Sequence, residues 1–238
     1  MSTETRGRVL VLGAYFTNRE SWIVHLRSEF RRSRKWEVDQ RWIALGESIP
    51  SELADVTAAA SAGTPKFILI NRLLALVNLA EYQHVIVSDD DISLPERFVD
   101  DYLGLVEQHD FSLAQPARTH DSYTDHHFVS QLLGIRARQT RFVEIGPLFS
   151  IRADALALLT PFDVESPMGW GYDFVWPVEM HRAGRKMGII DSCPIAHTLR
   201  KPVANYSWHA AHEQMTALLA KHAHLEPLDA FQIVKSFA

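Results

Sequence analysis

The stretch that decides the fold is His84-Val85-Ile86-Val87-Ser88-Asp89-Asp90-Asp91, in which a short β-branched run ends in three consecutive aspartates. Such a run predicts a buried strand, and open α/β sheets bind ligands beyond the carboxyl ends of their strands. In extended backbone Asp89 and Asp91 point to one side and Asp90 to the other. The triplet therefore predicts an Asp-x-Asp pair that binds one hard divalent cation through oxygen ligands.

Taken alone, the acidic triplet is also typical of a polar loop that caps the helix predicted to begin near Pro95. Two later motifs favour the metal interpretation. Gly169-Trp170-Gly171-Tyr172-Asp173 precedes a predicted helix, so its glycines allow a close backbone approach and Asp173 lies near the positive helix end. His197 follows the last predicted strand of the sheet, where an imidazole can complete a divalent site. An N-cap aspartate beside a packed tryptophan, and a structural histidine, are the alternatives.

Strands and helices alternate along the chain, which predicts an α/β fold. The sheet is expected to be mostly parallel, with helices on both faces. The predicted strands are Arg8 to Ala14, Trp36 to Leu45, His84 to Ser88, Phe111 to Gln115, Phe142 to Ile151 and Lys186 to Asp191. The first predicted helix follows a capping pair at Thr17 and Glu20. The other predicted helices are a weak one over Ala54 to Ala62, then Pro65 to Glu81, a helix that begins near Pro95, Arg152 to Leu159, Tyr172 to Ala183 and Trp208 to His222.

Composition excludes several classes of protein. The chain has 238 residues and a net charge of −5, which argues against binding to a nucleic-acid backbone. Its single cysteine, Cys193, excludes a disulfide framework and fits a cytoplasmic location. The longest apolar segment, Phe67 to Ala80, is too short to span a bilayer, and we expect no transmembrane segment.

The segment from Thr119 to Thr140 has no clear periodicity. It is polar and carries His120, His126, His127, Arg136 and Arg138. Because long irregular loops in compact domains are usually functional, we expect it to be a mobile loop on the side where a second substrate binds.

The chain resembles the GT-A class of nucleotide-sugar glycosyltransferases. It is most similar to a GT-A-like family catalogued as a domain of unknown function, in which the middle residue of the acidic triplet is usually glutamate instead of Asp90. The shared features are Lys66-Phe67, Asn71-Arg72-Leu73-Leu74, Ser88-Asp89-Asp90-Asp91-Ile92, Gln115-Pro116-Ala117, Ser122 with His126, Phe142-Val143-Glu144, Pro147, Phe149 and Ser150, Gly169-Trp170-Gly171 with Asp173, and Asp191 with His197.

The resemblance implies a GT-A domain over residues 1–203, with residues 204–238 as a helical extension packed on it. It implies transfer of a sugar from a nucleotide-diphosphate sugar, expected to be a UDP-sugar, to an acceptor hydroxyl. Mn²⁺ or Mg²⁺ is expected on Asp89, Asp91 and His197. Asp173 is expected to be the catalytic base of an inverting reaction, with Glu144 as the competing base. The expected donor-binding residues are Lys66, Arg72, Asp89, Asp90, Gln115, Trp170 and Gly171.

Two other functions remain open at this point. A metal-dependent phosphohydrolase or pyrophosphatase also uses aspartates, although such enzymes often need carboxylates for two metals. A non-catalytic nucleotide-sugar binding protein would retain the fold, but the presence of all the expected active-site residues argues against it. For Arg72, a buried structural ion pair is as good an interpretation as a phosphate contact.

Overall fold

The computed structural model describes residues 6–201 and 207–238 of the chain. Its strands in these ranges are β1 (Gly7–Phe16), β2 (Trp36–Leu45), β3 (Thr57–Ser61), β4 (His84–Ser88), β5 (Phe111–Arg118), β6 (Ala137–Thr140), β7 (Leu148–Arg152), β8 (Lys186–Ile195) and β9 (Ile233–Phe237). They form one sheet in the order β3-β2-β1-β4-β7-β5-β8-β6-β9.

The sheet is mostly parallel, as predicted. Strands β3, β2, β1 and β4 are parallel neighbours, and so are β5 and β8. Strand β7 runs antiparallel between β4 and β5, and β6 runs antiparallel between β8 and β9. Among the strands described, seven therefore point in one direction, so that several carboxyl ends meet at one edge.

Helices cover both faces of the sheet. They are α1 (Ile23–Arg31), α2 (Lys66–Leu74), α3 (Phe98–Gln108), α4 (Ala153–Leu159), α5 (Tyr172–Arg182), α6 (Trp208–Lys221) and α7 (Pro227–Ala230). Helices α1 and α3 pack on one face, where Phe30 and Phe98 are fully buried with Val9 and Ile86. Helices α2, α4 and α5 pack on the other face, where Phe67 and Trp176 enclose the second core. The predicted α/β fold class is confirmed.

Residues 54–62 are not the predicted weak helix. Thr57–Ser61 form β3, a parallel edge strand whose neighbour is β2. The Thr57 hydroxyl lies 2.9 Å from the Tyr15 hydroxyl, and the Trp42 amide donates to the Val56 carbonyl at 2.8 Å. Alanine has a high intrinsic helix propensity, but a run this short does not form a stable helix by itself, and pairing with an existing strand overrides the preference.

Three other predicted boundaries are wrong. Helix α1 begins at Ile23, after the predicted capping pair, because Thr17 instead donates its hydroxyl to the Leu45 carbonyl. Helix α2 ends at Leu74 instead of Glu81, and the Asn71 side chain pairs with both backbone groups of Phe162. The predicted strand from Phe142 begins only at Leu148, since Pro147 has no N–H to donate to a strand ladder.

The carboxyl-terminal part is helical where α6 and α7 lie, but it also contributes β9, which the sequence did not predict. Strand β9 pairs with β6, itself inside the segment predicted to be irregular. The predicted boundary at residues 203 and 204 lies outside the described residues and stays a prediction. Among the helices described, none has both the length and the hydropathy needed to cross a membrane.

Candidate functional site

One large cavity, of about 990 Å³, lies at the carboxyl edge of the sheet. Its walls include the ends of β1, β2, β3 and β5 and the residues directly after β4 and β8. Helix α6 and residues 224–227 lie across from these strand ends. This is the place where open α/β sheets bind ligands.

The aspartate triplet forms one end of the cavity, and each of its carboxylates has a cationic partner. The Lys66 ammonium lies 2.7 Å from Asp89 Oδ1. The Arg200 guanidinium pairs with Asp90 and lies 3.1 Å from Asp91 Oδ2. The imidazole Nε2 of His197 lies 3.3 Å from the same oxygen of Asp91. The repulsion expected among three adjacent carboxylates is thereby relieved.

Two of these aspartates, Asp90 and Asp91, are buried, and the net shifts of their pKa values have opposite directions. Burial raises the pKa of Asp90 to about 6, although Arg200 and the Phe16 amide, 2.9 Å away, oppose the shift. Burial also acts to raise the pKa of Asp91, but hydrogen bonding and charge attraction from His197 and Arg200 outweigh it, and the pKa is lowered. Asp91 is therefore held as an anion beside the imidazole.

The predicted metal ligands are only partly assembled. Among residues 6–201 and 207–238, no group of three or more His, Cys, Asp or Glu side chains is arranged to hold a metal ion. Asp89 is engaged by Lys66, whereas Asp91 and His197 lie together. Asp91 Oδ1 is buried and has no hydrogen-bond partner, so Asp91 and His197 together offer oxygen and nitrogen ligands that fit a divalent cation.

Asp173 lies in the first turn of α5 and lines the same cavity as the triplet. Gly171 precedes the helix with φ +98°, and Gly169 has φ +92° at a point where a Cβ would lie 2.3 Å from the Phe67 ring. These two positions require glycine, and they bring the start of α5 close to α2. Asp173 is 6% exposed, and its Oδ1 has no hydrogen-bond partner.

The environment of Asp173 is acidic. Burial, and next the charge of Glu144, raises the pKa of Asp173 to about 8, and Asp125 adds to the effect. Burial also raises the pKa values of Glu144 and Asp125. We call Asp125, Glu144 and Asp173 the acidic chamber.

Arg118 is a site residue that the sequence analysis missed. It is the last residue of β5, is fully buried, and donates to Glu144 at 2.7 Å. Its Nε and Nη1 have no hydrogen-bond partner, and the side chain lines the cavity. A charged residue at the end of an apolar strand, directly after Gln115-Pro116-Ala117, was the available signal. Arg200 was missed as well, because nothing local links it to the triplet.

The segment from Thr119 to Thr140 lines the cavity through Tyr123, Thr124, Asp125 and His126. It contains regular structure that the sequence did not predict, a 3₁₀ turn at His127–Val129 followed by β6. Arg138, inside this segment, makes a buried two-bond pair with Asp191 at 3.0 Å each. The same guanidinium donates to the Phe128 and Ser130 carbonyls and fixes the path of the loop.

Of the predicted site residues, nine line this cavity and two do not. Those that line it are Lys66, Asp89, Asp90, Asp91, Glu144, Trp170, Gly171, Asp173 and His197. Arg72 is exposed on α2 and is not among the residues that line the cavity, so it forms no buried ion pair, and its contact with the donor stays a prediction. Gln115 is fully buried behind the wall, where its side-chain oxygen accepts from the Glu144 amide.

Solved structures share this architecture. GalNAc-T7 with UDP, GalNAc and Mn²⁺ matches with a TM-score of 0.63 at 10% identity, over 90% of this chain and 48% of that one. S. aureus TarS 1–349 in complex with UDP-GlcNAc matches with a TM-score of 0.60 at 12% identity, over 93% of this chain and 68% of that one. The mannosyltransferase PcManGT from Pyrobaculum calidifontis in complex with GDP-Man and Mn²⁺ matches with a TM-score of 0.56 at 14% identity, over 94% of this chain and 67% of that one.

This chain thus spans about half the length of the GalNAc-T7 chain. No protein-family model matches the sequence, and no curated protein matches it significantly. At identities of 10–14% these likenesses establish the fold and leave the activity open. The chain has the GT-A fold.

Proposed function

We propose that this protein is a metal-dependent glycosyltransferase that moves a sugar from a nucleotide-diphosphate sugar to an acceptor hydroxyl. One observation carries the proposal. A single cavity holds both the acidic triplet with its cationic partners and a buried carboxylate with an unpartnered oxygen, that of Asp173. Such a cavity suits a donor whose leaving group carries negative charge and an acceptor whose hydroxyl must lose a proton.

The triplet end suits the diphosphate. Lys66 and Arg200 supply positive charge there, and Asp91 with His197 would hold the divalent cation. A bound cation supplies Lewis-acid stabilisation of the charge that develops on the leaving diphosphate. The three similar structures contain UDP and Mn²⁺, UDP-GlcNAc, or GDP-Man and Mn²⁺, which supports a nucleotide-sugar donor; we place a UDP-sugar first and prefer Mn²⁺ or Mg²⁺.

The Asp173 end suits the acceptor. A general base works best when its pKa lies near the operating pH, and burial beside Glu144 raises the pKa of Asp173 to about 8. In the proposed reaction the acceptor hydroxyl gives its proton to the Asp173 carboxylate as its oxygen attacks the anomeric carbon. Glu144 is the weaker candidate for this role because Arg118 is bound to it. Attack assisted by a base on the side opposite the leaving group inverts the anomeric configuration.

The test is product analysis with a panel of UDP-, GDP- and other nucleotide-sugars, with Mn²⁺ and with a chelator. A transferase releases nucleoside diphosphate and forms a glycosylated acceptor or, with water as acceptor, free sugar. Release of nucleoside monophosphate and sugar phosphate instead would identify a pyrophosphatase. Metal-dependent donor binding with no turnover for any acceptor would identify a non-catalytic binding protein.

A further inference from the structure

The acidic chamber contains three carboxyl groups, one of which accepts a hydrogen bond from the buried Arg118. Asp173 Oδ1 and Glu144 Oε1 are both buried without a hydrogen-bond partner, and both side chains line the cavity. Asp173 is 6% and Glu144 7% exposed, so water is a poor substitute for a missing partner. A buried polar atom left unpaired is costly, which points to a ligand group that binds there.

The charges around the chamber decide the sign of that ligand group. Arg118 donates to Glu144 and thus neutralises one of the three carboxylates, while its unpartnered Nε and Nη1 suit an acceptor oxygen such as a hydroxyl of the same ligand. The His126 ring lines the same wall but packs against Phe142 and Phe231, and it donates no side-chain hydrogen bond to a carboxylate among the contacts of the described residues. From the carboxyl-terminal segment, His224 and Glu226 also face the cavity, as an ion pair at 3.8 Å.

We infer that the acceptor is an amino sugar or a similar amine-bearing polyol, whose ammonium group lies in the acidic chamber next to the hydroxyl that is glycosylated. This inference rests on the proposed transferase function for the identity of the reacting hydroxyl. An ammonium group supplies donors to the unpaired carboxylate oxygens through charge-assisted hydrogen bonds. A neutral acceptor leaves the like charges facing one another, and an anionic acceptor adds to them.

The wall next to the chamber fits the same acceptor. Trp170, three residues before Asp173, lines the cavity, and its ring lies 5.3 Å from Trp208 and 5.9 Å from His212. Trp208 is 51% exposed and thus available at the surface. Indole faces bind both the apolar face of a sugar ring and a nearby cation.

The test is calorimetric binding of matched sugars that differ in one group: hexosamines, their N-acetyl derivatives and the parent hexoses, with nucleoside diphosphate and Mn²⁺ present. We expect the amine member to bind at least about tenfold more tightly than its N-acetyl partner in at least one set, since charge-assisted bonds are about twice as strong as neutral ones. Absence of an amine preference in every set, including absence of binding, would overturn the inference.

Asp125 provides the mutational arm of the test because it belongs to the chamber but is not the proposed base. Asp125→Asn should reduce the ratio of the two dissociation constants toward one, and Asp125→Glu, which keeps the charge, should restore it. Asp121→Asn is the matched control, as this exposed residue of the same segment does not line the cavity. A preference that survives Asp125→Asn in a protein with wild-type thermal stability would assign the ammonium to a different place and overturn the inference.

This experiment separates the two proposals. Donor hydrolysis in the absence of any sugar acceptor reports on the transferase function alone. Hydrolysis of the donor without an amine preference leaves the transferase proposal standing and refutes the amine acceptor. An amine preference without any donor turnover would support the chamber as a cation site and refute the transferase.

Discussion

The aspartate triplet and the acidic chamber line the same cavity and contain three carboxyl groups each, but they differ in how those groups are neutralised. In the triplet, Lys66, Arg200 and His197 lie against the aspartates. In the acidic chamber, Arg118 donates to Glu144, and Asp173 and Glu144 each retain an unpaired oxygen. The pKa values differ accordingly: in the triplet that of Asp91 is lowered and that of Asp90 is raised to about 6, whereas that of Asp173 is raised to about 8.

This contrast shows that carboxylates clustered in one cavity can have different chemical roles. A carboxylate beside cations keeps its charge and is ready to bind a metal ion or to orient a cationic side chain. A carboxylate that faces other carboxylates holds its proton more tightly and is suited to exchange it near neutral pH. The predictions that follow test this division of roles, from the largest expected effect to the smallest.

The largest effect is expected from Asp173→Asn. Loss of the base should lower turnover by a factor on the order of 10²–10⁴, while donor and Mn²⁺ binding stay close to wild type because the amide is nearly isosteric. Steady-state kinetics and donor calorimetry measure the two effects. The control is Asp229→Asn, an exposed residue of α7 that does not line the cavity. Near-full turnover by Asp173→Asn, together with an inactive Glu144→Gln, would transfer the role to Glu144.

The second effect concerns the support of the chamber. Arg138→Met leaves the buried Asp191 carboxylate without its cation, which should lower the free energy of unfolding by about 3–5 kcal/mol. Chemical denaturation measures it, with Arg136→Met, an exposed arginine two positions earlier, as the control. Combining Arg138→Met with Asp191→Leu should recover part of the loss. A change within about 0.5 kcal/mol would show that this pair does not hold the loop.

At the triplet end, Asp91→Asn should weaken Mn²⁺-dependent binding of nucleoside diphosphate by about tenfold or more, which is about 1.4 kcal/mol of binding free energy. Thermal shift at ligand concentrations about a hundred times the wild-type Kd, where full binding adds about 2.7 kcal/mol, resolves this loss. Wild-type protein in chelator is the reference state. Equal stabilisation with and without Mn²⁺ would contradict a metal bridge at this end.

The last effect, which is small for each single pH unit, is a pH dependence of stability that arises from Asp173. Its folded-state pKa of about 8 lies above the ordinary carboxyl value, so between about pH 4 and pH 8 the folded protein binds a proton that the unfolded chain has released. Stability from this group therefore decreases as pH rises, by at most about 1.4 kcal/mol per pH unit. Denaturation of wild type and Asp173→Asn at pH 5, 6, 7 and 8 should show a flatter profile for the variant. Parallel profiles would contradict the raised pKa.

Much of this protein could be predicted from local sequence. The β-branched run before Asp89 predicted β4 correctly, because a short apolar run of β-branched residues between polar residues is typical of a buried strand. The glycines of the Gly169-Trp170-Gly171 motif indicated special backbone before α5, and both have positive φ, with Gly169 against the Phe67 ring and Gly171 against aliphatic side chains of α6. These features depend on residues close together in the chain, and a sequence shows them directly.

Other features were missed because they depend on distant partners. The edge strand β3 has an alanine-rich sequence, and only its pairing with β2 makes it a strand. Strand β9 pairs with β6. Strand β6 contains the buried Arg138, so its sequence lacks the apolar alternation that would have predicted a strand there. Arg200 lies 110 positions from the aspartate that it neutralises. No local pattern reports any of these contacts.

The sequence by itself determined which residues carry charge at the strand ends, and with them the fold class and the kind of chemistry. Only the tertiary structure decided how those charges divide. It placed the cationic side chains of Lys66 and Arg200 and the imidazole of His197 against Asp89, Asp90 and Asp91, and it left Asp173 among other acids. The physical reason is that a carboxylate's pKa and role follow from its burial and from the charges within a few ångströms, and folding sets both of these.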